Sequence, residues 1–278
     1  MLFVSVRLPT ANPDVINAMK ASADIKARSY VICTTPRCGS TLLCDLLHDT
    51  GVAGNPHSFF RRQDFAEWAE EFGVPVAQWH DLQAFDQAYL DAVVRYGTGA
   101  SQLFGMRVMW ESLGNLTGRL EALFPGLPSD SARFQSAFGQ PVYLHLSRED
   151  KVAQAVSRCK AEQTGLWHVD ADGTERERVK PGQAPSYDPQ ELSRLVKELE
   201  DHDAAWADWF IRQGVVPVTI TYETLSSNPQ AALALILSAL GQDEAIARTI
   251  EPRTSKLADS ESREWADRFR AERHRPAT

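Results

Sequence analysis

The sequence predicts an α/β fold: a central, mainly parallel sheet flanked by helices. Three observations predict it. Short apolar runs alternate with amphipathic segments along most of the chain. The first run, "SYVICTTP", breaks into a polar turn and resumes in "STLLCDLLHDTG", with apolar residues at helical spacing. The same strand-to-helix step recurs where "PVYLHLSRE" feeds "DKVAQAVSRCKAEQTG". Strands separated by helices need crossover connections, and these give a parallel sheet covered on both faces. With 278 residues, 43% hydrophobic and 24% charged, the chain can bury one large core.

Residues 1–28 carry weak periodicity and read as an N-terminal extension; the domain proper is expected over 29–278. "SYVICTTP" is a β-rich run ending at Pro36, and Leu42, Leu43, Leu46 and Leu47 then line one helical face before Gly51. Residues 61–96 read as a helical insertion. "FGMRVMW" and "PVYLHLSRE" are buried strands, and the helix after the second has Val152, Val156 and Cys159 as its apolar line. "WHVDADGTERERVKPGQAPSYDP" is polar and rich in Gly and Pro, which predicts a mobile loop of the kind that covers active sites. A long amphipathic helix, "ELSRLVKELEDHDAAWADWFIRQG", precedes the strand "VVPVTITYE". The helix "NPQAALALILSALG" follows, with Asn228 as its cap and Pro229 in its first turn.

The net charge of −8 and pI near 5.4 argue against broad nucleic-acid binding, so an anionic ligand needs a locally basic pocket. No segment approaches the roughly 20 apolar residues of a membrane span, and the first residues lack the pattern of a signal peptide. The expected location is the cytoplasm. Cys33, Cys38, Cys44 and Cys159 lack metal-site or disulfide-scaffold spacing, and the seven histidines are scattered. Reduced thiols and no protein-bound metal are expected.

Two motifs carry chemistry. In "TTPRCGST" a strand, a tight turn with Gly39, and Ser40 and Thr41 at a helix start direct backbone N–H groups and the helix dipole at one point, and Arg37 adds a cationic fork. This is phosphate-loop chemistry without the second glycine and lysine of an ATPase, which also weakens a nucleotide-kinase reading. The turn also reads as a plain helix cap. A cysteine phosphatase fails on spacing, because Arg37 precedes Cys38 and no arginine follows within the loop. In the second motif, "LSREDKVAQAVSRCKAEQTGLWH", Arg148 ends a strand and Ser157 follows on the next helix. Together they suit a phosphate, although a strand-end arginine is also an ordinary surface residue.

Taken together, these blocks resemble the sulfotransferases that use 3′-phosphoadenosine 5′-phosphosulfate (PAPS), in particular the bacterial trehalose sulfotransferase family. "YVICTTPRCGSTLLCDLLHDTGVAGNPHSFF" resembles the family's opening block and "FGMRVMW" its Gly-x-Lys-Leu-Met-Trp strand, with Arg107 for lysine. "REDKVAQAVSRCKAEQTGLW" resembles its second signature and "SKLADSESREWADRFRAE" its C-terminal segment. The resemblance implies a P-loop-like sulfotransferase fold, PAPS as donor without a metal, and a carbohydrate or glycolipid headgroup as acceptor. It also implies a homodimer, for which the 61–96 insertion is one candidate contact. Pro36, Arg37, Cys38 and Gly39, with Ser40, Thr41 and Leu42, would grip the 5′-phosphosulfate. Arg148 and Ser157 would hold the 3′-phosphate, and Lys256 would close over the nucleotide in place of a family arginine.

The acceptor side departs from the pattern. Ser58 stands where the family has the glutamate expected to act as base, and a hydroxyl cannot serve near neutral pH. His57 is the nearest substitute, and Asn55 also replaces an acidic residue. Phe59, Arg107, Gln163 and Trp167 complete the expected acceptor wall; Trp167 and Gln163 read equally as a core residue and a helix-end cap. An alternative follows from Ser58: a non-catalytic binder of PAPS or its desulfated product that has lost the base.

Overall fold

The computed structural model describes residues 29–74, 81–169, 174–179, 184–253 and 260–273. Residues 1–28 and Lys256 therefore lie outside the described residues. A four-stranded sheet is built from β1 (Ser29–Thr34), β2 (Phe104–Met109), β3 (Pro141–Ser147) and β6 (Val218–Thr221), in the order β2-β1-β3-β6. Every pairing is parallel, with Thr34 opposite Met109 on one side and Leu146 on the other. All six residues of β1 are buried, as a central parallel strand requires.

Alternation along β1 divides the core. Tyr30 and Ile32 face Leu43, Leu46 and Leu47 of α1 (Ser40–Asp49), while Val31 and Cys33 join an aromatic cluster on the other face. That second face is covered by α2 (Phe65–Glu71), α3 (Leu82–Thr98), α4 (Trp110–Leu123) and α5 (Asp130–Phe138). The stretch expected as a helical insertion thus holds α2 and most of α3. A third cluster joins α6 (Lys151–Thr164), α7 (Pro189–Gln213) and the C-terminal helix α10 (Ser260–Arg273) through Val156, Cys159, Leu195, Leu199, Trp265 and Phe269.

α8 (Tyr222–Ser227) and α9 (Pro229–Ala239) complete the first face, and Asn228 caps α9 by accepting from the Ala231 N–H at 3.0 Å. The polar stretch after α6 departs from expectation. Part of it is an antiparallel hairpin of β4 (Leu166–Val169) and β5 (Glu175–Arg178), in which His168 stands opposite Glu177. The charged sequence "ERER" hides its strand character because its partner is a short ribbon, not the buried sheet.

Candidate functional site

β1 lies between β2 and β3, so the loops leaving the carboxyl ends of the strands part around a crevice beside Thr34, the usual binding position in an open α/β sheet. The chain turns there through two left-handed residues, Arg37 at φ 64° and Gly39 at φ 82°. Gly39 has a second reason to be glycine: a Cβ would lie 2.7 Å from the Tyr222 ring. No side chain caps the start of α1 at Gly39, so its first-turn N–H groups and dipole face the crevice.

Cys38 is fully buried, and its Sγ shares a hydrogen bond with Thr34 Oγ1. Burial pushes the thiol up, which removes the thiolate that a phosphatase would need. Gln154, fully buried on α6, donates to Thr35 Oγ1 at 3.0 Å and to the Pro36 carbonyl at 2.7 Å, pinning the loop from beneath. Its amphipathic helix gave no sequence signal of that role.

Three arginines converge on the loop. Arg107 of β2 donates through Nε to Ser58 Oγ at 2.8 Å and through Nη1 to Ser40 Oγ at 3.3 Å and Thr41 Oγ1 at 3.1 Å. Arg37 donates to Ser157 Oγ at 3.1 Å and to the Trp167 carbonyl, with its guanidinium 5.9 Å from the Trp167 ring centre. Arg148 donates to the Arg37 carbonyl at 3.2 Å and lies 4.4 Å above the Tyr222 ring. Burial first, then the neighbouring Arg148, lowers Arg37 to about 10, so it stays cationic at neutral pH. The buried Nε of Arg148 has no hydrogen-bond partner. Two adjacent cations with an orphaned buried donor form a site suited to a multivalent anion. The two motifs that the sequence keeps separate therefore meet, with Ser157 bonded directly to Arg37.

A cavity of about 1160 Å³ opens from this loop, lined by Arg37, Ser40, Thr41, Arg107, Arg148 and Ser157, and by Trp167, His168 and Glu177 of the β4–β5 hairpin. Expected acceptor groups divide. Trp167 and Arg107 line the cavity; Asn55, His57, Ser58, Phe59 and Gln163 are outside its lining. The His57 ring packs at 5.4 Å against Trp68 and 6.0 Å against Tyr96, because its backbone bridges to β2 and alternation sends Ser58 to the other side. Phe59 is fully buried among the same rings. Gln163 binds both backbone groups of Ser186, donating at 3.0 Å and accepting at 2.7 Å, so its amide anchors a loop. The Asn55 N–H donates to the Gly97 carbonyl at 2.7 Å.

Further cavity residues were not legible in sequence. Thr41 Oγ1 lies 3.1 Å from His168 Nε2, which is 3.4 Å from Glu177 Oε2. Asp150 caps α6 by accepting from the Ala153 N–H, and its Oδ1 and Oδ2 both accept from Arg270 Nη2, at 2.8 and 2.7 Å. Burial works upward on Asp150 but is outweighed by that N–H and the Arg270 guanidinium, which hold its carboxyl below the usual range. A depressed carboxylate stabilises the fold above its unfolded value, about 3.9, and loses that contribution as pH falls through the folded value. Because the pair is 39% and 43% exposed, Asp150→Asn should cost only ~1 kcal/mol at pH 7. Thermal unfolding of both proteins at pH 7 and at steps below about pH 3.9 should show the difference shrink as the folded value is passed.

Among the described residues there is no group of three or more potential metal ligands, and no helix is long and apolar enough to cross a membrane. The family model described as Stf0 sulphotransferase matches residues 29–272. A trehalose 2-sulfotransferase of Mycobacterium tuberculosis is 31% identical, over 88% of this chain and 95% of that protein. A second, from Mycolicibacterium smegmatis, is 28% identical over 89% and 96% respectively. A sulfotransferase crystal structure from Alicyclobacillus acidocaldarius overlaps 91% of this chain and 98% of its own at 16% identity, with a TM-score of 0.41.

Proposed function

The chain belongs to the Stf0 sulphotransferase family, and from that premise we propose that it moves a sulfuryl group from PAPS to a hydroxyl of a carbohydrate. The observation that carries the donor reading is the Arg37–Arg148 pair, with the buried Arg148 Nε unpartnered beside the uncapped start of α1. In this reading Arg148, Arg37 and Ser157 hold the 3′-phosphate. Ser40, Thr41, Gly39 and Arg107 face the 5′-phosphosulfate, and Arg37 reaches between the two ends.

Sulfuryl transfer resembles phosphoryl transfer, in which positioning and electrostatic stabilisation supply most of the rate. Arg37, Arg107 and the helix N-terminus would stabilise charge growing on the phosphate oxygen as it leaves. Trehalose is the first acceptor to test, since both similar proteins are named for it. Ser58 in place of the family glutamate, with its hydroxyl bound by Arg107, supports a different sugar or a glycolipid headgroup.

The test is calorimetric titration with adenosine 3′,5′-bisphosphate, the desulfated product, and with adenosine 5′-monophosphate. Wild type should bind the bisphosphate much more tightly, and Arg148→Ala should weaken that binding about 10- to 100-fold while leaving the monophosphate nearly unaffected. Equal binding of the two nucleotides would refute the 3′-phosphate assignment. A second reading, a binder without turnover, rests on Ser58. PAPS with trehalose and a panel of other sugars separates the two: a sulfated product excludes the silent binder.

A further inference from the structure

The site lacks its expected base: Ser58 is bonded to Arg107, and His57 packs among Trp68 and Tyr96 outside the cavity lining. The other acidic groups lining the cavity face cations, Glu111 of α4 acting on Arg158. Glu162 pairs with Arg158, Glu261 with Lys160, and Asp150 and Asp267 with Arg270. The β4–β5 hairpin presents a different pair. His168 and Glu177 stand opposite each other in its register, both line the cavity, and His168 Nε2 reaches Thr41 at the start of α1.

We infer that His168, supported by Glu177, accepts the proton of the sugar hydroxyl during transfer. The inference rests on the donor reading above, because it places the sulfuryl group at Ser40, Thr41 and Arg107. His168 Nε2 lies between Thr41 Oγ1 at 3.1 Å and Glu177 Oε2 at 3.4 Å, so a hydroxyl that replaces the Thr41 contact meets the ring nitrogen on which the carboxylate favours a proton. The acceptor oxygen forms its bond to sulfur, and the bond from sulfur to the bridging 5′-phosphate oxygen breaks, its electron pair going to that oxygen. The hydroxyl proton passes to Nε2, the ring then carrying a proton on each nitrogen, and the Glu177 carboxylate, against that same Nε2, stabilises the imidazolium.

The charged groups facing His168 come from each packed element. Glu177 lies across the hairpin, Arg107 lies beyond Thr41, and Arg37 binds the adjacent Trp167 carbonyl. Arg158, Lys160 and Glu162 line the cavity from α6, Glu111 lines it from α4 and Arg178 from β5, and Arg158 also pairs with Glu198. Protonation of His168 removes the base, so turnover should fall on the acid side.

The test compares wild type, His168→Gln and Glu177→Gln, using PAPS with the sugar that turns over fastest in the panel above. Bisphosphate binding by calorimetry reports the donor site separately. His168→Gln should bind the bisphosphate as wild type does, lose about a hundredfold or more in kcat, and lose the acid limb of the pH profile. Glu177→Gln should retain that limb at lower pH, because a carboxylate no longer favours the imidazolium. Retained kcat in His168→Gln, or lowered kcat with the acid limb unchanged, overturns the inference while leaving the donor reading intact. Loss of bisphosphate binding in wild type, or no turnover of any sugar, defeats the underlying reading and the inference with it.

Discussion

Arg37→Ala is expected to reduce kcat a hundredfold or more in a fold that otherwise stands. Loss of a preorganised donor to developing charge costs about 3–4 kcal/mol in well-studied active sites. Here the same side chain also orders its surroundings. Its Nε holds Ser157 at 3.1 Å and its Nη1 holds the Trp167 carbonyl, so the cation is fixed before the donor arrives. Its backbone, at φ 64°, presents the carbonyl that receives Arg148.

Arg37→Lys separates charge from geometry. An ammonium keeps the positive charge but cannot reproduce a planar fork bonded to a hydroxyl and a carbonyl together. The lysine variant should therefore recover only part of the rate. Full recovery would mean that point charge suffices and that the Ser157 and Trp167 contacts are incidental. Initial rates at saturating PAPS, beside bisphosphate binding by calorimetry, decide between these outcomes. A loss confined to binding would place Arg37 wholly with the 3′-phosphate.

The loop suited to an anion was legible in sequence because its chemistry is local. A strand, a turn with Gly39 and a helix start lie within a dozen residues, and backbone groups do most of the work. Arg148 and Ser157 are likewise nine apart across one strand-helix junction, so each was readable alone. Their direct meeting with Arg37 was not, since it depends on β1 and β3 pairing side by side.

The residues expected around an acceptor were poorly legible for the opposite reason. His57 and Ser58 are adjacent in sequence, yet extended backbone sends one side chain into the aromatic core and the other to Arg107. Sequence cannot decide which points inward without the register to β2, set by the His57–Met106 bridge. His168 and Glu177 were hidden in a stretch that reads as loop, and only hairpin pairing places them together. Gln163 fits a pocket wall by position but spends its amide on Ser186, a contact 23 residues away.

The largest expected loss of stability belongs to Trp206, far from these motifs in sequence yet bonded to the strand that feeds them. Its indole is 1% exposed, stacks on Phe210 at 5.6 Å, and meets Trp110 edge-on at 5.2 Å. Its Nε1–H donates to the Thr34 carbonyl at 2.9 Å, at the last residue of β1 before the anion loop. Trp206→Ala removes a large buried ring and strands that carbonyl, so unfolding free energy should drop by about 3–5 kcal/mol. For a domain of this size that lowers Tm by roughly 6–20 °C. Trp206→Phe divides the loss, because it keeps much of the apolar volume but no donor. Urea unfolding of both variants should place phenylalanine between wild type and alanine. Bisphosphate binding should weaken in both if the Thr34 carbonyl helps to seat the loop, because Thr34 also bonds Cys38 and the Leu146 carbonyl. A phenylalanine variant as stable as wild type would assign the whole effect to packing, and unchanged nucleotide affinity would show that the loop is seated without the Trp206 bond.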